Sequence, residues 1–141
     1  MMKCSDVMTQ KLVCAEPGDS VANVAKLMKN NDIGPIPIVD NQQGKKLVGI
    51  VTDRDLAMKV VAEGRDPRTT PVREVMTTNV ITCRAIDEIE TALEAMSRQQ
   101  LRRIPVVDDG NTLLGIIAQA DIAIRMDKPE KTGEIVKEIS A

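Results

Sequence analysis

The chain carries one pattern twice. Val7-Met8-Thr9 recurs as Val75-Met76-Thr77, and Ile36-Pro37-Ile38-Val39-Asp40 recurs as Ile104-Pro105-Val106-Val107-Asp108, both displaced by 68 residues. Gly49-Ile50-Val51-Thr52-Asp53-Arg54-Asp55 then answers to Gly115-Ile116-Ile117-Ala118-Gln119-Ala120-Asp121 at a displacement of 66. A duplication over nearly the whole chain restricts the fold to two similar modules about a pseudo-twofold axis, with a cleft between them. Neither copy, at about 65 residues, has a comfortable core alone. Where the copies agree, folding needs are shared. Where they differ, site chemistry is the candidate reason.

Each copy reads as β-α-β-β-α. A short apolar stretch, Leu12-Val13 or Val80-Ile81, predicts the first strand. Val21, Val24, Ala25 and Met28 then fall on one helical face, as do Ile89, Ala92, Leu93 and Met96. Asp19 and Asp87 precede these faces and suit helix starts. The Ile-Pro strands lead through polar loops into Leu47-Val48-Gly49-Ile50-Val51 and its counterpart, as hairpins. The second loop, Asp109-Gly110-Asn111-Thr112, is two residues shorter, which accounts for the changed displacement. A second helix is predicted from Thr52-Asp53 through Leu56, Ala57, Lys59 and Val60, and its counterpart carries Ile122, Ala123, Ile124 and Met126. Residues 1–63 and 72–127 are the repeats, 64–71 the linker and 128–141 a tail in which 131–139 suits a short helix. Pro71 fits the first turn of a short helix leading into the second copy. The class is α/β, in the mixed α+β sense.

Composition narrows function mainly by what is missing. Among 141 residues there is no His, Trp, Tyr or Phe. Without His, the commonest general base and the commonest zinc ligand are gone. Without aromatic rings, single-stranded nucleic acid has no stacking platform, and a net charge of −2 offers no phosphate-binding field. A planar ligand must lie between aliphatic side chains. No apolar run approaches a membrane span, and the first residues lack the apolar core of a signal peptide, so a cytoplasmic location is expected. Cys4, Cys14 and Cys83 form no C-x-x-C motif and read first as reduced thiols, with a redox-sensing role as the lesser alternative. No nucleophile or acid–base constellation stands out, so no catalytic residue and no metal site is assigned.

Thr52-Asp53-Arg54-Asp55 follows a strand and opens a helix. Free backbone N–H groups, a hydroxyl and a carboxylate one turn on describe a nucleotide clamp. The same residues have capping-box form, and on this segment alone capping outweighs ligand binding. The second copy lacks the hydroxyl at Ala118 but keeps Asp121, which leans toward a shared task such as ribose binding. The other disagreement precedes the Ile-Pro strands: Asp32-Ile33-Gly34-Pro35 against Gln100-Leu101-Arg102-Arg103. Two adjacent Arg residues suit a di- or triphosphate, although a solvated surface pair is the commoner outcome. Asp108-Asp109 beside Gly110 reads as a turn rather than a metal site.

Taken together, the paired Val-Met-Thr, Ile-Pro-Ile/Val-Val-Asp and Gly-Ile-Val-Thr-Asp-Arg-Asp motifs resemble a tandem pair of CBS domains, the Bateman module, over roughly residues 5–127. The resemblance implies two β-α-β-β-α repeats about a pseudo-twofold axis and a disc-like homodimer. It also implies a regulatory rather than catalytic role, with no obligatory cofactor and an adenosine-containing ligand: AMP, ADP or ATP, with S-adenosylmethionine or NAD as alternatives. Carried over, one cleft combines Thr52, Asp53, Arg54 and Asp55 with Thr77, Val80, Ile81, Leu101, Arg102, Arg103, Ile104 and Pro105. In it Asp55 would hold the ribose, Thr52 the first phosphate and the two Arg the rest. A weaker cleft combines Ala118 and Asp121 with Leu12, Val13, Ile33, Gly34, Pro35, Ile36 and Pro37. The expected output is a signal to an effector protein in trans, with neither nucleic acid nor membrane as partner. A ligand-free dimerisation module and a thiol-based sensor are the competing readings.

Overall fold

Both predicted long helices form, and they occupy repeat-equivalent positions. A computed structural model describes residues 2–125. In chain order the elements are α1 (Cys4–Val7), α2 (Val21–Asn31), β1 (Ile36–Val39), β2 (Leu47–Val51) and α3 (Asp53–Leu56). A π-helical turn, Ala57–Val61, and a 3₁₀ turn, Val72–Glu74, follow. β3 (Cys83–Arg84), α4 (Ile89–Gln99), β4 (Arg103–Val107), β5 (Leu113–Ala118) and α5 (Gln119–Arg125) complete the described chain. The predicted helix over 131–139, and Met126, lie outside the described residues.

The helix faces follow the sequence period with one exception. Val21, Val24 and Met28 are buried on α2, and Ile89, Ala92, Leu93 and Met96 on α4, but Ala25 is exposed. A lone methyl group loses little by facing water, so periodicity says little about an Ala at the edge of a stripe. Helix starts also differ from expectation. Ser20 caps α2, its hydroxyl accepting from Asn23 N at 3.2 Å, and Glu88 precedes α4 without a side-chain cap bond. Asp19 and Asp87 instead accept from the backbone N–H three residues earlier, Glu16 N at 2.8 Å and Arg84 N at 2.9 Å. They hold the preceding turn shut. Both helices end in a left-handed residue, Asp32 at φ 52° and Gln100 at φ 54°.

The hairpins form as predicted. β1 and β2 pair antiparallel from Ile36↔Val51, and β4 and β5 from Arg103↔Ala118, each with one register shift near the loop end. The Asp that closes each Ile-Pro strand organises its loop: Asp40 Oδ1 accepts from Asn41 N and Lys46 N, and Asp108 Oδ1 from Gly110 N and Thr112 N. The first strand is displaced from its expected place. Leu12-Val13 and Val80-Ile81 are not strands. Pairing begins three residues later, with Ala15 bridging Ile38 in parallel and Cys83–Arg84 running parallel to Val106–Val107. Ala15 and Cys83 are the small buried residues that fit against those strands.

The two compact units cut across the repeats. One is Val13–Val80; the other joins the chain up to Leu12 with the chain from Ile81 onward. Thr77 exchanges backbone hydrogen bonds of 2.8 and 2.9 Å with Ile50, and Thr9 exchanges 2.8 and 3.1 Å bonds with Ile116. Each Val-Met-Thr segment therefore completes the sheet edge of the other repeat's hairpin. Glycine makes this approach feasible. A Cβ on Gly49 would stand 2.6 Å from Met76 Sδ, and one on Gly115 would stand 2.7 Å from the Thr9 carbonyl oxygen. Each unit has its own core, one around Val24, Ile36, Ile38, Val51 and Val72, the other around Ile89, Met96, Ile104, Ile117 and Ile122. Burying each such side chain contributes about 1.5–3 kcal/mol.

Candidate functional site

In the Val13–Val80 unit, Thr52 has extended backbone and opens α3. Its hydroxyl accepts from Asp55 N at 3.2 Å, while Thr52 N donates to Asp55 Oδ2 at 2.9 Å. The capping box is complete, as the sequence allowed. The other carboxylate oxygen, Asp55 Oδ1, lies 3.4 Å from Lys59 Nζ, which also donates to the Val75 carbonyl at 3.1 Å. Lys59 joins the site through its spacing of four from Asp55, the separation that brings side chains together on a helix. Thr52 and Asp55 are half-buried; Asp53 and Arg54 are exposed.

The Ile33-Gly34-Pro35 entrance of β1 lies on this same turn. Asp53 N donates to the Gly34 carbonyl at 3.2 Å, and a Cβ on Gly34 would stand 3.1 Å from Asp53 Oδ1. Ile33, Gly34 and Pro35 are half-buried, while Ile36 and Pro37 are buried within β1. Val13 packs against this core, Val80 is half-buried, and Thr77 is exposed at the edge of β2.

The other unit repeats the arrangement with different chemistry. Gln119 N donates to the Arg102 carbonyl at 2.9 Å, and Arg103 pairs with Ala118 across β4 and β5. Ala118 N donates to Asp121 Oδ2 at 3.3 Å. Half of the capping box thus survives without the hydroxyl, so Asp121 has a local structural task and its retention does not by itself indicate a ligand. Gln119 Nε2 is buried without a hydrogen-bond partner. Arg102 is exposed and Arg103 half-buried; Ile104 and Pro105 are buried, and Ile81 and Leu101 pack on the core. Leu12 is half-buried in this unit.

Within each unit, a strand entrance lies on the turn of its own repeat: Gly34-Pro35 with Thr52–Asp55, and Arg102-Arg103 with Ala118–Asp121. The reason is the hairpin. The residue entering the first strand is opposite the residue leaving the second, so entrance and turn are register neighbours. One turn has the hydroxyl and an extra carboxylate, Asp53, with no cation at its strand entrance. The other has two Arg and a neutral Gln119.

Residues 4–62 and 72–128 each match the family model of the CBS domain. The chain belongs to the CBS-domain family. Its CBS repeats as matched follow the sequence duplication, whereas the compact units exchange the leading segments. The chain is similar to the CBS domain-containing protein YhcV of Bacillus subtilis, at 38% identity over 99% of this chain and 96% of that one. Among solved structures it resembles Hypoxic Response Protein I with two coordinated zinc ions, at a TM-score of 0.79 and 32% identity over 89% of this chain and 100% of that chain. It also resembles the CBS domain pair of protein MJ0100 in complex with 5′-methylthioadenosine and S-adenosyl-L-methionine, at a TM-score of 0.74 and 31% identity over 88% of this chain and 94% of that chain. Among the described residues, no helix is long and apolar enough to cross a membrane.

Proposed function

We propose that this CBS pair is a cytoplasmic regulatory module that binds an adenosine-containing ligand and passes the change to an effector protein in trans as a homodimer. One observation carries the reading: two repeat-equivalent turns, each with a carboxylate one turn on and a strand entrance within 3.2 or 2.9 Å of its backbone. The MJ0100 pair, with its two adenosyl ligands, supports the ligand class. Asp55 would give up the Thr52 N–H or Lys59 to accept from ribose hydroxyls, and Asp121 would do the same beside Arg102 and Arg103. The Arg pair suits phosphate through charge-assisted hydrogen bonds. AMP, ADP and ATP are the leading ligands, with S-adenosylmethionine and NAD as alternatives. The chain has no His, and among the described residues no group of three potential ligands could hold a metal ion.

Calorimetry with AMP, ADP, ATP, NAD and S-adenosylmethionine, on wild type, Asp55→Ala and Asp121→Ala, tests the reading. Saturable binding of at least one ligand, weakened by one of the two substitutions, is expected; affinity unchanged in both variants overturns the site. The missing aromatics supply a second readout, because adenine-band absorbance in the purified chain belongs to bound nucleotide. A ligand-free dimerisation module is the competing reading. The capping bonds favour it, since they account for Asp55 and Asp121 without any ligand. A full ligand panel without saturable binding would establish it.

A further inference from the structure

Cys4 and Cys83 stand 79 positions apart in the chain and share one core. Residues 2–5 run antiparallel to 85–89. Cys4 N donates to the Asp87 carbonyl at 2.9 Å, Ser5 N to the Ala85 carbonyl at 3.1 Å, and Ile89 N to the Met2 carbonyl at 3.0 Å, with Lys3 bridged to Glu88. Cys83 opens β3 and pairs with Val106. Both side chains point into the same cluster, at 0% and 3% exposure. Each thiol donates to a backbone carbonyl, Cys4 Sγ to Glu88 and Cys83 Sγ to Pro105, both at 3.9 Å. Cys14 belongs to the other unit, against Gln42 Oε1 at 3.4 Å.

We propose that Cys4 and Cys83 are a dithiol–disulfide pair, an oxidation site that ties the leading Val-Met-Thr segment covalently to the second repeat. The oxidant is a low-molecular-weight disulfide. The Cys4 thiolate attacks one of its sulfurs, forms a mixed disulfide and releases one thiolate. Cys83 then loses its proton to the thiolate already released and attacks Cys4 Sγ, expelling the second thiolate, which takes up the proton that Cys4 lost. Two protein thiols and one small disulfide become one protein disulfide and two small thiols. Cys4 sits on the short leading segment, held to 85–89 by backbone hydrogen bonds, and lifting that segment frees its sulfur first, which sets the order. The neighbouring Cys83 holds the Cys4 thiol below its ordinary value, while Cys4 and burial push Cys83 up. Because both sulfurs are buried, attack requires residues 2–5 to lift from 85–89, so oxidation reports on that local opening.

The test uses the full chain incubated with oxidised glutathione, quenched with N-ethylmaleimide, digested without reduction and mapped by mass spectrometry. Expected is one intramolecular Cys4–Cys83 cross-link, loss of two hydrogens per chain, and a urea midpoint above that of the reduced chain. Cys14→Ser retains the cross-link, and Cys83→Ser arrests at a glutathione adduct on Cys4. A cross-link through Cys14, a cross-link between chains, glutathione adducts as the wild-type end product, or thiols that stay unreacted would each overturn the proposal. The wild-type map stands even if Cys83→Ser fails to fold, and it is independent of nucleotide binding.

Discussion

Gly115 lies against Thr9 so closely that a Cβ on the glycine would stand 2.7 Å from the Thr9 carbonyl oxygen. Those two residues are more than a hundred positions apart, yet they fix where the leading segment of the chain goes. Gly49 does the same for Thr77, with Met76 Sδ at 2.6 Å from its hypothetical Cβ. Gly115→Ala should destabilise by about 1–3 kcal/mol, because backbone rather than a flexible side chain must move. Gly49→Ala should cost less, since its nearest neighbour is a Met side chain that can turn aside. Urea unfolding followed by circular dichroism measures both; equal and negligible shifts would mean the segments are not packed as described.

The capping role of Thr52 is separable from its proposed binding role. Thr52→Ala should cost about 1 kcal/mol of stability, and so should Ser20→Ala, since each removes a hydroxyl that accepts from a backbone N–H. Only Thr52→Ala should also weaken ligand binding. Parallel urea and calorimetric titrations on the two variants make the comparison, and equal effects on binding would reduce Thr52 to a cap.

Two groupings of the site residues predict different couplings. If ligand is held by the turn and strand entrance of one repeat, Arg103→Ala and Asp121→Ala should be non-additive in nucleotide affinity, by about 0.5–3 kcal/mol. If the site joins Thr52–Asp55 to Arg102-Arg103, the non-additivity should appear between Arg103→Ala and Asp55→Ala instead. A double-mutant cycle with ATP on the three single and two double variants separates them.

Burial raises the Cys14 thiol above its ordinary value of 9.0. A folded-state value above the unfolded one means the folded state keeps its proton longer. The Cys14 contribution to stability is therefore complete below pH 9 and is lost as the pH rises through the folded-state value. Urea midpoints at neutral and strongly alkaline pH should diverge more for wild type than for Cys14→Ala. An identical loss in both would place the alkaline sensitivity elsewhere.

Much of the local structure was legible in the residues. The helix faces of α2 and α4, both hairpins and the capping box follow from spacing, because those bonds join residues close in sequence. Departures from the local pattern have local causes as well. Ala25 carries too little apolar surface to mark a face. Asp19 and Asp87 could cap either the helix ahead or the turn behind, and Ser20 took the helix. Leu12-Val13 and Val80-Ile81 are apolar without being paired, since a strand is defined by its partner, and the partner strands reach Ala15 and Cys83.

By itself, the sequence determined that there are two equivalent α/β repeats, which faces they bury, and that one turn has a hydroxyl where the other has none. Only the tertiary structure decided that each Val-Met-Thr segment pairs with the other repeat's hairpin, that Arg102-Arg103 sits on the turn of its own repeat, and that Cys4 meets Cys83. The physical reason is degeneracy. Two near-identical motifs facing two near-identical glycine-bearing strands offer the same backbone hydrogen bonds either way. The choice between them rests on how the whole chain closes, which no local pattern of residues encodes.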